Sequence, residues 1–122
     1  MTGLLPLHER AVVVDGLVVS RWSREVFEGM RKGGITAANC TVAVWEGFEE
    51  TLANVAALHS LLDEHDDLVR PVRSVDDVHR VKSEGRVGIV LGWQNTSPIE
   101  DDLRRLSLFH ELGLRIVQLA YN

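Results

Sequence analysis

The run Val87-Gly-Ile-Val-Leu91 narrows the choice of fold more than any other stretch of the 122 residues. It is short, apolar and rich in β-branched residues, and it stops at Gly92, as a strand buried on both faces of a parallel sheet does. The next nine residues complete a unit. Trp93, Gln94 and Asn95 stand where the strand hands over to a helix, which Ser97 can cap. Pro98 suits the first helical position, and Glu100, three residues after Ser97, completes a capping box. In α/β folds such strand ends face the ligand, so Trp93, Gln94 and Asn95 are the first candidates for a site.

The same unit recurs along the chain. Met1 to Arg10 reads as a short helical lead-in, with His8 solvated. Ala11 to Val14 is a first buried strand closed by Asp15 and Gly16; Asp15 either orients a ligand or binds backbone amides in the turn. Trp22, Val26, Phe27 and Met30 form a helical stripe from Ser23 that Gly33 and Gly34 end. Ile35 to Val44 is a second strand of small residues around Asn39 and Cys40, ending at Trp45, Glu46 and Gly47. Trp45 and Glu46 fall on the ligand-facing rim, although Glu46 serves equally well as a first-turn acid of the next helix.

Phe48, Leu52, Val55, Leu58 and Leu62 give an amphipathic helix over 48–64. Leu68 to Arg73 reads as a linker to a helix capped by Ser74, with Val75, Val78 and Val81 on one face and Gly85 as its stop. After the organising strand, Ile99, Leu103, Leu106, Phe109 and Leu112 line a last helix stopped by Gly113. Arg115 to Asn122 is a fourth strand, centred on Ile116 to Leu119, with Tyr121 and Asn122 at the rim. All five histidines (His8, His59, His65, His79 and His110) fall on the lead-in, on helices or at their exits, away from strand ends.

Charge removes some function classes. A formal charge of −5 with a pI near 5.5 leaves no basic footprint for nucleic acid or an anionic membrane. No apolar run reaches membrane-spanning length, and the first residues lack a basic start and a long apolar segment, so neither a membrane span nor a secretory signal is expected. Cys40 is the single cysteine and so forms no internal disulfide, which suggests a reducing, cytoplasmic setting. It reads as a small buried hydrophobe.

Alternating strands and helices imply an α/β fold with parallel strands joined by right-handed crossovers. Four strands with covering helices make either a small open sheet or the amino-terminal half of a TIM-type (β/α)8 barrel. The half barrel is the expectation for residues 1–122, as one partial domain and fragment of a larger barrel. Its two unpaired edges favour self-association or pairing with the missing half.

Five segments carry a resemblance: Val14-Asp-Gly-Leu17, Met30-Arg-Lys-Gly-Gly-Ile-Thr-Ala-Ala-Asn-Cys-Thr41, Val44-Trp-Glu-Gly47, Gly92-Trp-Gln-Asn95 and Leu112-Gly-Leu-Arg-Ile-Val-Gln-Leu-Ala-Tyr-Asn122. In this order and spacing they resemble the membrane-dipeptidase-like metallopeptidases of peptidase family M19, in a bacterial branch of peptidases and amidohydrolases. The resemblance implies a (β/α)8 barrel in which two zinc ions activate water against a dipeptide or amide carbonyl. It also implies that the family's His-x-Asp ligand pair falls on Leu17 and Val19, its bridging Glu on Gln94 and a later His on Tyr121, none of them a good zinc ligand.

Two functions follow as expectations. One is a dipeptidase-like hydrolase, inactive as these 122 residues alone, with Asp15, Trp45, Trp93, Gln94, Asn95, Tyr121 and Asn122 lining the site and no catalytic residue assigned. The alternative is a binding or structural relative with reduced metal or none. A receiver-like signalling domain is also compatible with the length, but it wants an Asp after the third strand, where Gln94 stands.

Overall fold

The computed structural model describes residues 5–122; the start of the expected lead-in, residues 1–4, lies outside the described residues. Among those described, five α-helices and five strands alternate along the chain: α1 (Pro6–Arg10), β1 (Val14–Val18), α2 (Arg24–Lys32), β2 (Ala37–Ala43), α3 (Phe48–Glu64), β3 (Val69–Pro71), α4 (Val75–Glu84), β4 (Val87–Trp93), α5 (Arg104–Glu111) and β5 (Leu114–Val117). Every strand pairing is parallel. No described helix is long and apolar enough to cross a membrane.

β4 is the hub. β2 runs along one of its edges from Ala37 opposite Gly88 to Ala43 opposite Trp93. The other edge is shared: β3 takes Val87 to Ile89, and β5 takes Leu91 to Trp93. With β3 set aside, the neighbours β1, β2, β4 and β5 succeed one another as four consecutive strands of a (β/α)8 ring do.

Local chemistry sets the helix ends. Ser23 Oγ accepts from Val26 N at 3.3 Å to start α2, and Ser74 Oγ accepts from Asp77 N at 3.3 Å to start α4. Gly85 closes α4 in the left-handed region at φ 69°, a conformation that favours glycine. One face of the sheet packs on Phe27, Val55, Leu58, Leu62 and Phe109 through Cys40, Ile89 and Trp93. Each large side chain buried there contributes about 1.5–3 kcal/mol. Val72 and Val81 lie against Gly88, where a Cβ would overlap Val72 and come within 3.2 Å of Val81.

The structure departs from the sequence expectations in several places. β1 starts at Val14, so Asp15 lies inside the strand and not in a turn after it; the preceding residues are held by Val13 N, which donates to Thr36 Oγ1 at 2.9 Å. Val69–Pro71 is a strand where a linker was expected, three residues long and paired only with β4, the kind of site that tolerates proline. β4 continues through Gly92 to Trp93. β5 is Leu114–Val117, beginning one residue before the expected 115–122 and ending well short of Asn122. Val75 is 72% exposed, so α4 packs through Val81 and the half-buried Val78; Leu103 is exposed as well.

The capping box also serves a different helix. Ser97–Ile99 forms a single 3-10 turn, and Glu100 sits at φ 55°, which ends it. Ser97 Oγ donates to Glu46 O at 2.8 Å, and Glu100 Oε2 accepts from Phe48 N at 3.0 Å. Glu100 therefore caps α3, 52 residues back, while its other oxygen accepts from Arg105 at 2.7 Å.

Candidate functional site at the strand ends

The site builds from the alternation of β2. In Ala37-Ala-Asn-Cys-Thr-Val-Ala43, Asn39 and Thr41 are two apart and so share one face, while Ala38, Cys40 and Val42 turn into the helix-side core. Asn39 is buried and Nδ2 donates to Gly16 O at 3.0 Å, tying β1 to β2. Its side chain lies over Gly92, where a Cβ would overlap Oδ1; that oxygen has no partner among the described residues. Two residues further on, Thr41 Oγ1 accepts from Gln94 Nε2 at 3.0 Å.

Gln94 is 7% exposed and stands one residue past β4, where Gln94 N donates to Ala43 O at 2.9 Å and carries the ladder beyond the strand. Its carboxamide is therefore fixed from two sides, by its own backbone and by Thr41. The arrangement can offer a fixed amide to a polar ligand without contributing charge.

The rim is assembled from distant pieces of chain. Trp45, after β2, meets Tyr121, after β5, edge to face with ring centroids 4.7 Å apart. Asn95 Oδ1 accepts from Thr96 N at 2.8 Å, and Thr96 Oγ1 donates to Leu119 O at 3.1 Å. Glu46 Oε2 accepts from Val44 N at 2.6 Å and Trp45 N at 3.0 Å. Burial opposes its charge, but these and its own backbone N–H hold the Glu46 carboxyl below the usual carboxylate range.

The sequence candidates thus separate. Gln94 joins Thr41, Trp45 joins Tyr121, and Asn95 shapes the loop behind them. Trp93 does not line the mouth: it is 1% exposed, its ring 4.8 Å from that of Phe109, because strand alternation turns it toward α5. Asp15 is exposed and its Oδ1 accepts from Leu17 N at 3.1 Å within β1. Asn122 is exposed. Glu46 stays at the rim, where it braces its own turn, and is not a first-turn acid of α3, whose acids there are Glu49 and Glu50. Asn39 and Thr41 were missed as site residues. Two polar residues spaced by two inside an otherwise small and apolar strand are the signal that singles them out. Cys40 is buried as expected, and burial, with the Asp15 charge added, pushes its thiol up to about 12.

Parallel strands in ring order with helices packed against the sheet define part of a (β/α) barrel, with polar side chains at the carboxyl ends of the strands. The chain belongs to the membrane dipeptidase family, peptidase family M19, whose profile matches residues 20–122. It is similar to an amidohydrolase from Pseudomonas aeruginosa, at 49% identity and TM-score 0.94 over 95% of this chain and 36% of that one. The probable dipeptidase PvdM from the same organism has the same fold, at 20% identity and TM-score 0.79 over 94% of this chain and 36% of that one. Dipeptidase aclJ of Aspergillus oryzae is 28% identical over 109 residues, 78% of this chain and 26% of its own length. The chain therefore spans about a third of those structures and a quarter of that curated relative.

The M19 family is a zinc metallopeptidase family. The residues here do not fit a zinc site on their own. Among the described residues no group of three His, Cys, Asp or Glu could hold a metal ion, and Gln94 brings a neutral carboxamide to the strand end, a weak donor for a dication.

Proposed function

We propose that this chain forms part of the mouth of a dipeptidase-like hydrolase, in which it orients a dipeptide or amide substrate. The observation that carries the reading is the Gln94 carboxamide held on Thr41 at the strand ends. A fixed amide there pairs with the peptide group of a substrate, and Trp45 with Tyr121 offers an aromatic wall beside the rim. Asp15, Asn95 and Asn122 take outer positions. Leu17 and Val19 stand where the family resemblance puts a His-x-Asp pair, so metal-activated water in this reading depends on ligands from outside residues 1–122.

On this reading the remaining strands of the ring cover the free edges of β1 and β5, and residues 1–122 are inactive alone. A cytoplasmic setting accompanies it, supported by the lone buried thiol of Cys40. The donor set at the mouth favours a second reading, a relative that binds the same small molecules without hydrolysing them.

Titration of the chain with dipeptides and zinc separates the two, because the exposed Trp45 reports binding by fluorescence while released amino acids report turnover. The hydrolase reading expects dipeptide binding that Gln94→Ala weakens, no turnover by the chain alone, and turnover once the other strands are supplied. Binding without turnover in the completed ring would favour the second reading. Turnover by the 122 residues alone overturns the dependence on outside ligands, and absence of any dipeptide binding overturns both.

A further inference from the structure

Pairing between β1 and β2 ends at Val18 opposite Cys40, although β2 runs on to Ala43. Beyond that point the edge of β2 has no strand beside it, and a cavity of about 360 Å³ opens between it, the segment after β1 and helix α3. Exposed strand edges present unpaired backbone groups, and here two side chains meet that need. Asn54 Nδ2 donates to Val42 O at 3.0 Å, and Glu46 Oε2 accepts from Val44 N and Trp45 N.

Each of these side chains has thereby spent one atom on the backbone. What remains is Glu46 Oε1, an acceptor, and the Asn54 carboxamide's Oδ1 with its second N–H; neither oxygen has a partner among the described residues. The rest of the wall is mixed: Trp22, Ala57, Leu58 and Leu61 are apolar, and Ser20 and Thr41 add hydroxyl-bearing residues. A cavity of this size that combines apolar walls with a few polar groups is a common form of small-molecule site. Glu46 is the only charged side chain of the lining, and its carboxylate favours a donor that carries positive charge.

We propose that this cavity binds a small apolar primary amine as its ammonium ion, the charged end on Glu46 and Asn54 and the hydrocarbon on Trp22, Leu58 and Leu61. The site shares Thr41 with the Gln94 arrangement but uses neither Gln94 nor the hydrolase reading. It adjoins the mouth, since Ser97 Oγ, in the loop after Gln94, donates to Glu46 O.

The test compares three probes of equal bulk on the chain, isoamylamine, isoamyl alcohol and isovalerate, by chemical-shift titration at neutral pH. The amine is expected to bind at least about tenfold tighter than the alcohol, equivalent to about 1.4 kcal/mol, and isovalerate weakest. Glu46→Gln keeps an acceptor for Val44 N and Trp45 N but removes the charge, and should abolish the margin between amine and alcohol. Ala57→Phe fills the cavity from α3 and should weaken both, with the helical circular dichroism unchanged as the check on folding. Equal affinity for amine and alcohol, no saturable binding of the amine, or a margin that survives Glu46→Gln would each overturn the proposal.

Discussion

β4 and β1 are built from similar material and end in opposite states. Val87-Gly-Ile-Val-Leu-Gly-Trp93 is buried along almost its whole length, whereas four of the five residues of Val14-Asp-Gly-Leu-Val18 are exposed. Apolar content does not separate them. β4 has neighbours on both edges and helices packed against it, while β1 pairs only with β2 among the described residues. Burial in a parallel sheet is conferred by the neighbours a strand acquires.

The sharpest way to break this contrast is to remove matched aromatics. Trp93 and Trp45 each end or follow a strand, and each packs edge to face on one ring. Trp93→Ala should cost about 3–5 kcal/mol, the range for a large aromatic lost from a close-packed core. Trp45→Ala, at a side chain 64% exposed, should cost less than about 1.5 kcal/mol, the size of one aromatic pair. Urea denaturation of the two variants reads both. Similar losses would show that the rim is as tightly built as the centre.

Sequence and structure agree where a single element decides its own fate. The stripe of α3, the Ser74 cap and the glycine stops are local, and their residues stand in the expected roles; the Ser23 cap, equally local, is not among the sequence expectations. The placement of all five histidines away from strand ends is local as well. The sequence is a poorer guide where the outcome depends on a neighbour. Three residues suffice for β3 because β4 offers half an edge, and no periodicity exists in so short a run. Ser97 and Glu100 read as a capping box for the next helix, yet the open end of α3 lies beside them in space and takes Glu100. In the site, Gln94 was legible from its strand-end position, whereas Thr41 acquires its role only through the β2–β4 register that brings it to Gln94. Trp93 was misplaced because β4 runs two residues past Leu91, so strand alternation continues through it and turns its side chain to the core.

That borrowed cap gives a smaller effect with a pH signature. The Phe48 N–H, and then the Arg105 guanidinium, hold the Glu100 carboxyl below its usual value near 4.5. A depressed folded value means that the stabilisation is complete above the unfolded value and is lost as pH falls through the folded one. Glu100→Gln can still accept from Phe48 N but lacks the charge. Its melting temperature should lie below that of the parent protein at pH 7, and the gap should close between about pH 5 and 3. Thermal scans across that window check the sign; a gap that widens in acid would mean that Glu100 does not hold α3 through its ionised form.

The smallest expected effect sharpens the comparison most, because it asks whether β1 is finished. Leu17 is 48% exposed on a strand whose outer edge is unpaired among the described residues. If that edge remains in water, Leu17→Lys should change stability by no more than about 0.5 kcal/mol, as surface substitutions do. A lysine on a free edge is also a common device against strand addition. If further strands of the ring cover the edge, the same ammonium would be buried without a partner, a change that costs several kcal/mol and would prevent their association. Urea midpoints of the chain alone, and light scattering with and without the complementing strands, distinguish the cases. A neutral midpoint together with lost assembly would establish that β1 differs from β4 only in lacking its second neighbour. A large loss in the chain alone would instead mean that β1 is already packed as it stands.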